Sequence, residues 1–298
     1  MPHHLRAATR GSPLARWQAE AVAALLQAQD PDVEVELVVV ETQGDRRLDL
    51  PIWELGGKGV FAKEVQAAVL DGRADIAVHS AKDLPSGTVD GLVLAAIPER
   101  GDPRDALVGS TLAELPHGAE VATGSLRRQA QLAAARPDLR FVGLRGNMAT
   151  RIAKAADHAA VVVAATALDR LGLEAEIAER LSTEVVLPQV GQAALAIECR
   201  ADDAALRARL AGIEHGPTRR CVDAERSFLA ALGGDCSLPA AAYAVVLPDG
   251  QLSIEGRILS VDGTTVLRHV VVGQTDAVGT ELARVLLEDQ GGRALLNS

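Results

Sequence analysis

The sequence has few aromatic residues: they make up 2% of its 298 residues, whereas hydrophobic residues as a group make up 48%. We therefore expect cores built from Ala, Val, Leu and Ile. A protein that binds nucleic acid by stacking bases on aromatic side chains is disfavoured by this composition. A chain of this length exceeds the usual size of one hydrophobic core, so two or three domains are expected.

Cysteine is also scarce, and Cys199, Cys221 and Cys236 are odd in number, widely spaced and without a C-x-x-C pair. Neither a disulfide framework nor a zinc site is indicated, and no metal is predicted. The longest uncharged apolar run, residues 159–168, is too short to span a bilayer, and no apolar segment typical of an export signal follows the first residues. The pattern predicts a soluble protein of a reducing cytoplasm, with no membrane partner.

An excess of positive charge is missing as well, since the formal net charge is −10. The overall charge therefore does not indicate a nucleic-acid partner. A site for an anionic ligand has to be made locally, by clustering some of the 30 Lys and Arg residues.

What is present is a regular alternation of short apolar strands and helices as far as about residue 216, which predicts two α/β units. Residues 98–105, with two prolines, a glycine and five charged side chains, read as a linker, and residues 187–192 as a second crossing point. From residue 217 a helix, three alternating strands and a final helix predict a small α+β domain with a three-stranded antiparallel sheet. The predicted domains are 1–98 with 193–216, 99–192, and 217–298.

One apolar strand, residues 76–78, runs directly into His79, Ser80, Lys82 and Asp83. In open α/β sheets, ligands bind just beyond the carboxyl ends of such buried parallel strands. These polar side chains are therefore candidates for chemistry. A solvated turn before a proline, with the histidine satisfied at the strand end, explains the same residues equally well.

Arginine recurs at predicted helix starts, where the helix dipole normally recruits acidic residues. Backbone N–H groups at a helix start and a forked guanidinium together bind carboxylate or phosphate groups strongly. Three such sites favour a ligand with several acidic groups, although a single one would read as an ordinary surface arginine. The residues are Arg10 before the Ser12 cap, Arg127 and Arg128 after Ser125, and Arg145 and Arg151 around Asn147.

Two glycine-rich loops remain. Residues 57–62 match the G-x-G-x-x-A dinucleotide pattern, but the preceding segment contains a proline and does not read as the strand that this fingerprint requires. We interpret it as a flexible loop covering a cleft, with Phe61 available for packing. The second loop exposes Cys236, the one thiol suited to covalent chemistry, whereas Cys199 is predicted to be a buried strand residue and Cys221 an inert residue within a helix. No histidine is clearly paired with Cys236, so a chance loop cysteine stays open as the alternative.

These motifs together resemble the hydroxymethylbilane synthases, also called porphobilinogen deaminases, over nearly the whole chain. The segments that carry the resemblance are ATRGSPLA (8–15), GGKGVF (56–61), ADIAVHSAKD (74–83), GDPRDA (101–106), GSLRRQ (124–129), LRGN (144–147) and the segment around Cys236. The resemblance implies two α/β domains of the periplasmic-binding-protein kind, with an active-site cleft between them, and a third domain that carries a dipyrromethane cofactor on a cysteine sulfur.

The resemblance also implies the chemistry: four porphobilinogen molecules are joined head to tail with loss of ammonia, and hydroxymethylbilane is released by hydrolysis. It makes Cys236 the thioether attachment point and Asp83 the catalytic carboxylate. A monomer is expected. The acetate and propionate groups of cofactor and substrate would be bound by Arg10, Ser12, Lys82, Ser125, Arg127, Arg128, Arg145, Arg151 and Arg170.

Three departures from the family pattern stand out: Asp235 directly before the cofactor cysteine, Gln43 at a position that is often arginine, and a short segment at 154–163 that leaves the register leading to Arg170 less certain. The main alternative function is a non-catalytic binding protein for an acidic small molecule, built on the first two domains. A nicotinamide-dependent dehydrogenase is a third option, resting on Gly57, Lys58 and Gly59 alone.

Overall fold

The computed structural model of the chain describes residues 3–46, 59–233 and 238–296. Within these ranges the strands are β1 His3–Arg10, β2 Val33–Val40, β3 Ile76–Ser80, β4 Leu92–Ala96, β5 Asp105–Val108, β6 Glu120–Ala122, β7 Arg140–Val142, β8 Ala160–Ala164, β9 Ile177–Arg180, β10 Leu195–Arg200, β11 Ala240–Val246, β12 Leu252–Leu259 and β13 Val266–Gly273. The α-helices are α1 Pro13–Gln29, α2 Gln43–Arg46, α3 Lys63–Leu70, α4 Leu126–Ala135, α5 Met148–Ala153, α6 Ala165–Asp169, α7 Ala204–Leu210, α8 Gly216–Ala231, α9 Ala277–Arg284 and α10 Gly292–Leu296.

The chain divides into two compact units, each built from two separate segments. Unit 1 comprises residues 1–101 and 193–219, and unit 2 comprises residues 102–192 and 220–298. The predicted third domain, 217–298, lies almost wholly within unit 2. The domain boundaries predicted from the sequence stay predictions.

Unit 1 contains, among the described residues, a five-stranded sheet in the order β2-β1-β3-β10-β4. Strand β1 is parallel to β2 and to β3, whereas β10 is antiparallel to both of its neighbours. On one face, the apolar side of α1 packs against β3 and β10, with Leu26, Ile76 and Ile197 fully buried. The carboxyl ends of β1 and β3 therefore lie side by side.

Unit 2 repeats this topology in the order β7-β6-β8-β5-β9, again counting the described residues. Here β6 is parallel to β7 and β8, and β5 is antiparallel to β8 and β9. In each sheet one antiparallel strand lies beside the parallel strands: β10 in unit 1 and β5 in unit 2. Each of these strands follows a point where the chain crosses from one unit to the other. The same unit holds the three-stranded antiparallel sheet β11-β12-β13, whose core includes Phe228 of α8 and Leu282 of α9.

The predicted fold class is confirmed: two α/β sheets and a C-terminal α+β domain with a three-stranded antiparallel sheet. One local prediction was wrong. Asp105 is not part of a solvated linker: it begins β5 and is fully buried. Within the described residues, no helix is both long and apolar enough to cross a membrane.

Candidate functional site

The end of β3 turns directly into a single 3-10 turn, Ala81–Asp83, which carries the predicted catalytic carboxylate. Two backbone hydrogen bonds fix this turn: Ala81 N donates to Ala194 O on the strand entering β10, and Leu84 N donates to Ala81 O. The side chains of Lys82 and Asp83 are half-buried. Asp83 thus sits on a rigid strand end, where a carboxylate can be held in a fixed direction.

The neighbouring strand β1 ends at Arg10, which is followed by the start of α1. Ser12 caps this helix, since its Oγ accepts a hydrogen bond from Ala15 N, and Pro13 is the first helical residue, as the sequence predicts. The guanidinium of Arg10 lies 4.1 Å from the centre of the Phe61 ring, a cation–π contact that orients it. Arg10, Ser12 and Phe61 therefore form one group on unit 1.

In unit 2, the start of α4 has a buried ion cluster rather than two arginines at the surface. Ser125 caps the helix, and the guanidinium groups of Arg127 and Arg128 both turn inward to Asp105. Arg127 Nη2 lies 2.8 Å from Asp105 Oδ2, and Arg128 Nη2 lies 2.7 Å from Oδ1. The side chain of Gln192 donates a further hydrogen bond to Oδ1.

These contacts decide the charge of Asp105. Burial alone raises the pKa of its carboxyl, but the two guanidinium groups and their hydrogen bonds outweigh this, so the net pKa lies well below its ordinary value. The carboxylate neutralises part of the positive charge of the arginine pair. In this structure Arg127 is 1% exposed and also donates to Leu187 O and Gln189 Oε1, so the contacts seen around it are made within the protein. Carboxylate binding by Arg127 and Arg128 stays a prediction.

Three further arginines of the predicted set lie in unit 2 on loops and helices after its parallel strands. Arg145 follows β7, Arg151 is in α5 and donates its Nε to Gly146 O, and Arg170 directly follows α6. Arg170 is half-buried, and this burial lowers the pKa of its guanidinium to about 10. A cation that has lost solvent in this way is favourably placed to receive an anionic group.

Glycine 124 explains how the start of α4 and the loop after β7 come close together. A Cβ at this position would lie 2.6 Å from Leu144 O, so any side chain would force the two segments apart. The hydrogen bond from Thr123 N to Val142 O continues the same contact. Ser125 and Arg145 are thereby brought to one end of the sheet of unit 2.

The predicted attachment residue Cys236 lies outside the described residues, as do Gly56, Gly57 and Lys58. The other two cysteines are buried: Cys199 lies in β10, as predicted, and Cys221 lies within α8. Burial raises the pKa of the Cys199 thiol to about 11, which makes it a poor nucleophile at neutral pH. Among the described residues no group of His, Cys, Asp or Glu is placed to hold a metal ion.

Sequence reasoning missed several buried polar residues that lie around the candidate site residues, namely Asp105, Gln192, Gln131 and Glu198. For Asp105 the sequence did contain a signal. The apolar residues 106–108 follow it directly, which is the pattern expected when a residue begins a buried strand. Gln131 accepts hydrogen bonds from Leu187 N and from Arg257 of β12, and it donates to Leu187 O. Such long-range polar contacts leave no periodic pattern in the sequence.

Comparison with known proteins identifies the family. The model of "Porphobilinogen deaminase, dipyromethane cofactor binding domain" matches residues 5–208, and that of "Porphobilinogen deaminase, C-terminal domain" matches residues 219–288. The chain belongs to the porphobilinogen deaminase family. It is 48% identical to the porphobilinogen deaminase of Nitratidesulfovibrio vulgaris strain Miyazaki F, over 97% of this chain and 95% of the relative. It is 47% identical to the enzyme of Syntrophus aciditrophicus, over 98% and 97% of the two chains.

Solved structures whose backbones are partly similar include a periplasmic substrate-binding protein of an ABC transporter from Coxiella burnetii and the methionine-binding protein MetQ. The first is 15% identical with a TM-score of 0.44, covering 72% of this chain and 93% of the other. MetQ is 14% identical with a TM-score of 0.43, covering 74% and 93%.

The family assignment implies a dipyrromethane cofactor, and the described residues fit such a group in kind. Acetate and propionate side chains require guanidinium, ammonium and hydroxyl donors. Unit 1 offers Arg10, Ser12 and Lys82 at the ends of two parallel strands. Unit 2 offers the half-buried Arg170, whose pKa is lowered to about 10 by burial.

Proposed function

We propose that the protein is a hydroxymethylbilane synthase, a transferase that joins four porphobilinogen molecules head to tail and releases ammonia at each step. The carrying observation is the match to both family models together with relatives named porphobilinogen deaminase that are 47–48% identical over almost the full length of each chain. The proposal includes a cytoplasmic location and a monomeric state. A non-catalytic binding protein for an acidic ligand is not favoured by these matches.

Asp83 is proposed as the catalytic carboxylate. When the aminomethyl group of porphobilinogen leaves as ammonia, a positive charge develops on the methylene-pyrrole, and a carboxylate held beside it stabilises that charge. In its protonated form the same group is suited to giving a proton to the departing amine, and the carboxylate that results is suited to taking one from the pyrrole carbon after the new bond has formed. Its position on the 3-10 turn at the end of β3 supports this role.

Cationic and hydroxyl side chains are proposed to bind the acidic arms of the pyrroles. Each pyrrole carries an acetate and a propionate, so a growing chain needs many donors, and guanidinium groups bind carboxylates with two parallel hydrogen bonds. The proposed set is Arg10, Ser12, Lys82, Ser125, Arg127, Arg128, Arg145, Arg151 and Arg170, with Phe61 packing beside Arg10. When bound through a thioether to Cys236, the dipyrromethane supplies the pyrrole end to which the first substrate unit is joined.

Intact-protein mass spectrometry, followed by peptide mapping, tests the proposal. We expect a mass excess that matches two linked pyrroles, located on the peptide containing Cys236 and absent from Cys236→Ser. The matched control is Cys199→Ser, which should keep the adduct because burial raises the pKa of that thiol to about 11. An unmodified protein that gains no adduct after incubation with porphobilinogen would favour the binding-protein alternative.

Turnover separates catalysis from binding. Asp83→Ala should fold normally and lose nearly all release of ammonia, whereas Asp90→Ala, at an exposed loop aspartate of the same unit, should retain it. Normal turnover by Asp83→Ala would refute the assignment of the catalytic carboxylate.

A further inference from the structure

A buried polar cluster lies in unit 1 behind the turn that carries Asp83. It consists of His79 on β3, Glu198 on β10 and Gln66 on α3, each exposed by no more than 6%. The cross-strand register pairs His79 with Ala196 and Ala77 with Glu198, so both polar side chains project from the same face of the sheet. The cluster has no part in the chemistry described above.

The carboxylate of Glu198 is its centre. Gln66 Nε2 donates to Glu198 Oε2 at 2.8 Å, and His79 Nε2 lies 3.1 Å from the same oxygen, at ion-pair distance. Despite this short distance, His79 Nε2 has no hydrogen-bond partner within the described part of the chain. Close packing in a buried site, rather than a directed hydrogen bond, therefore holds the imidazole against Glu198.

Burying the carboxyl group of Glu198 in this position costs folding free energy. Taking an ionised group out of water costs several kcal/mol, and well-packed apolar residues in place of a buried ion pair are often neutral or stabilising. Stability alone therefore does not account for a glutamate here, directly after the buried apolar residues Leu195, Ala196 and Ile197 of the same strand.

The two partners of Glu198 belong to two of the segments that present candidate site residues in unit 1. His79 is followed within β3 by Ser80 and then by the turn with Lys82 and Asp83. Gln66 lies in α3, and its backbone N–H donates to Ala62 O, next to Phe61. A single carboxylate thus binds the segment of Asp83 and the segment of Phe61, whose ring contacts Arg10.

We infer that Glu198 is a positioning residue: through His79 and Gln66 it holds the Asp83 turn and the Phe61 segment in the geometry that turnover requires. The inference rests on the proposed function. A catalytic group displaced by about 1 Å can lose on the order of 100-fold in rate. Glu198→Gln keeps the volume and an oxygen acceptor for Gln66 but removes the charge that faces His79.

The experiment compares Glu198→Gln and His79→Gln with the unchanged protein by steady-state kinetics, thermal unfolding and hydrogen exchange. We expect kcat to fall by about 10- to 100-fold with KM changed by less than about threefold, because the residue acts on the catalytic geometry and not on substrate contacts. The double variant should lose little more than either single variant, since both changes break the same contact. Amide exchange in peptides covering 79–84 and 62–66 should accelerate by about tenfold or more, and that of β13 should not change.

A matched control is Glu120→Gln, which removes the carboxylate facing His158 in a second histidine–glutamate pair, with Nδ1–Oε1 at 2.8 Å. It should leave kcat unchanged. A rise in KM alone, additive losses in the double variant, or a fall in activity that only follows the unfolded fraction would each overturn the inference. If the unchanged protein does not consume porphobilinogen, the proposed function fails, while the exchange rates still decide whether Glu198 holds the two segments: unaltered exchange in Glu198→Gln refutes it and accelerated exchange supports it.

Discussion

The change Asp105→Asn tests the buried ion cluster of unit 2. It keeps the size of the side chain and one oxygen acceptor, but removes the single negative charge that faces Arg127 and Arg128. Both guanidinium groups are buried, so solvent cannot compensate for the loss of the carboxylate. Removing one partner of a buried ion pair typically costs about 3–5 kcal/mol. Because two cations share this carboxylate, we expect a loss in that range rather than below it.

The effect should depend on pH in a defined direction. The pKa of Asp105 is lowered in the folded protein, so its stabilisation is present above the pKa of the unfolded chain and is lost as the pH falls through the folded value. The unfolded pKa is about 3.9. The difference in unfolding free energy between the unchanged protein and Asp105→Asn should therefore be full near neutral pH and shrink below about pH 4.

Urea denaturation at several pH values, with thermal melts followed by circular dichroism, measures this difference. For a body the size of unit 2, about 3–5 kcal/mol corresponds to a fall in melting temperature of roughly 6–20 °C. The control is Asp157→Asn, at an exposed aspartate of the same unit, which should stay within about 0.5 kcal/mol. A loss for Asp105→Asn of less than about 1 kcal/mol at neutral pH, or a difference that does not shrink in acid, would refute the reasoning.

Two further predictions concern the backbone. Ala193, which precedes β10, is buried and has a φ of 70°. Ala193→Val should therefore destabilise the protein by roughly 2 kcal/mol or more, whereas Ala193→Gly should stay within about 1 kcal/mol. Equal urea midpoints for the two variants would contradict this. Gly124→Ala should lower the free energy of unfolding by about 1–3 kcal/mol, because the added Cβ would lie 2.6 Å from Leu144 O. The control is Gly143→Ala, which has open space around its Cβ and whose melting temperature should not fall.

The sequence predicted the local elements of this fold well where a single feature dominates. The Ser12 cap with Pro13 marks the start of α1, and the apolar run at 76–78 marks β3, because capping and burial act on adjacent residues. The strand that begins at Asp105 was missed because charge and proline in the same stretch favour a linker. Whether an aspartate there is solvated depends on Arg127 and Arg128, which are more than 20 residues away.

The sequence names candidate site residues but not the residues that contact them. Arginine after Ser125 indicates an anion site, and the structure gives both side chains an anion from the protein itself. No local pattern separates an arginine that binds a ligand from one that binds Asp105. The buried cluster around Glu198 was missed for the same reason, since Gln66 and Glu198 lie 132 residues apart.

The placement of β10 has a consequence for synthesis of the chain on the ribosome. This strand lies between β3 and β4, so the sheet of unit 1 lacks one of its inner strands until residue 200 has emerged. A nascent chain ending near residue 192 exposes the unpaired edges of β3 and β4, and such edges pair readily with other chains. Closing this gap depends on contacts between residues more than 100 positions apart, which slows folding. A fragment truncated before β10 should therefore aggregate rather than fold, although it contains every other strand of its sheet.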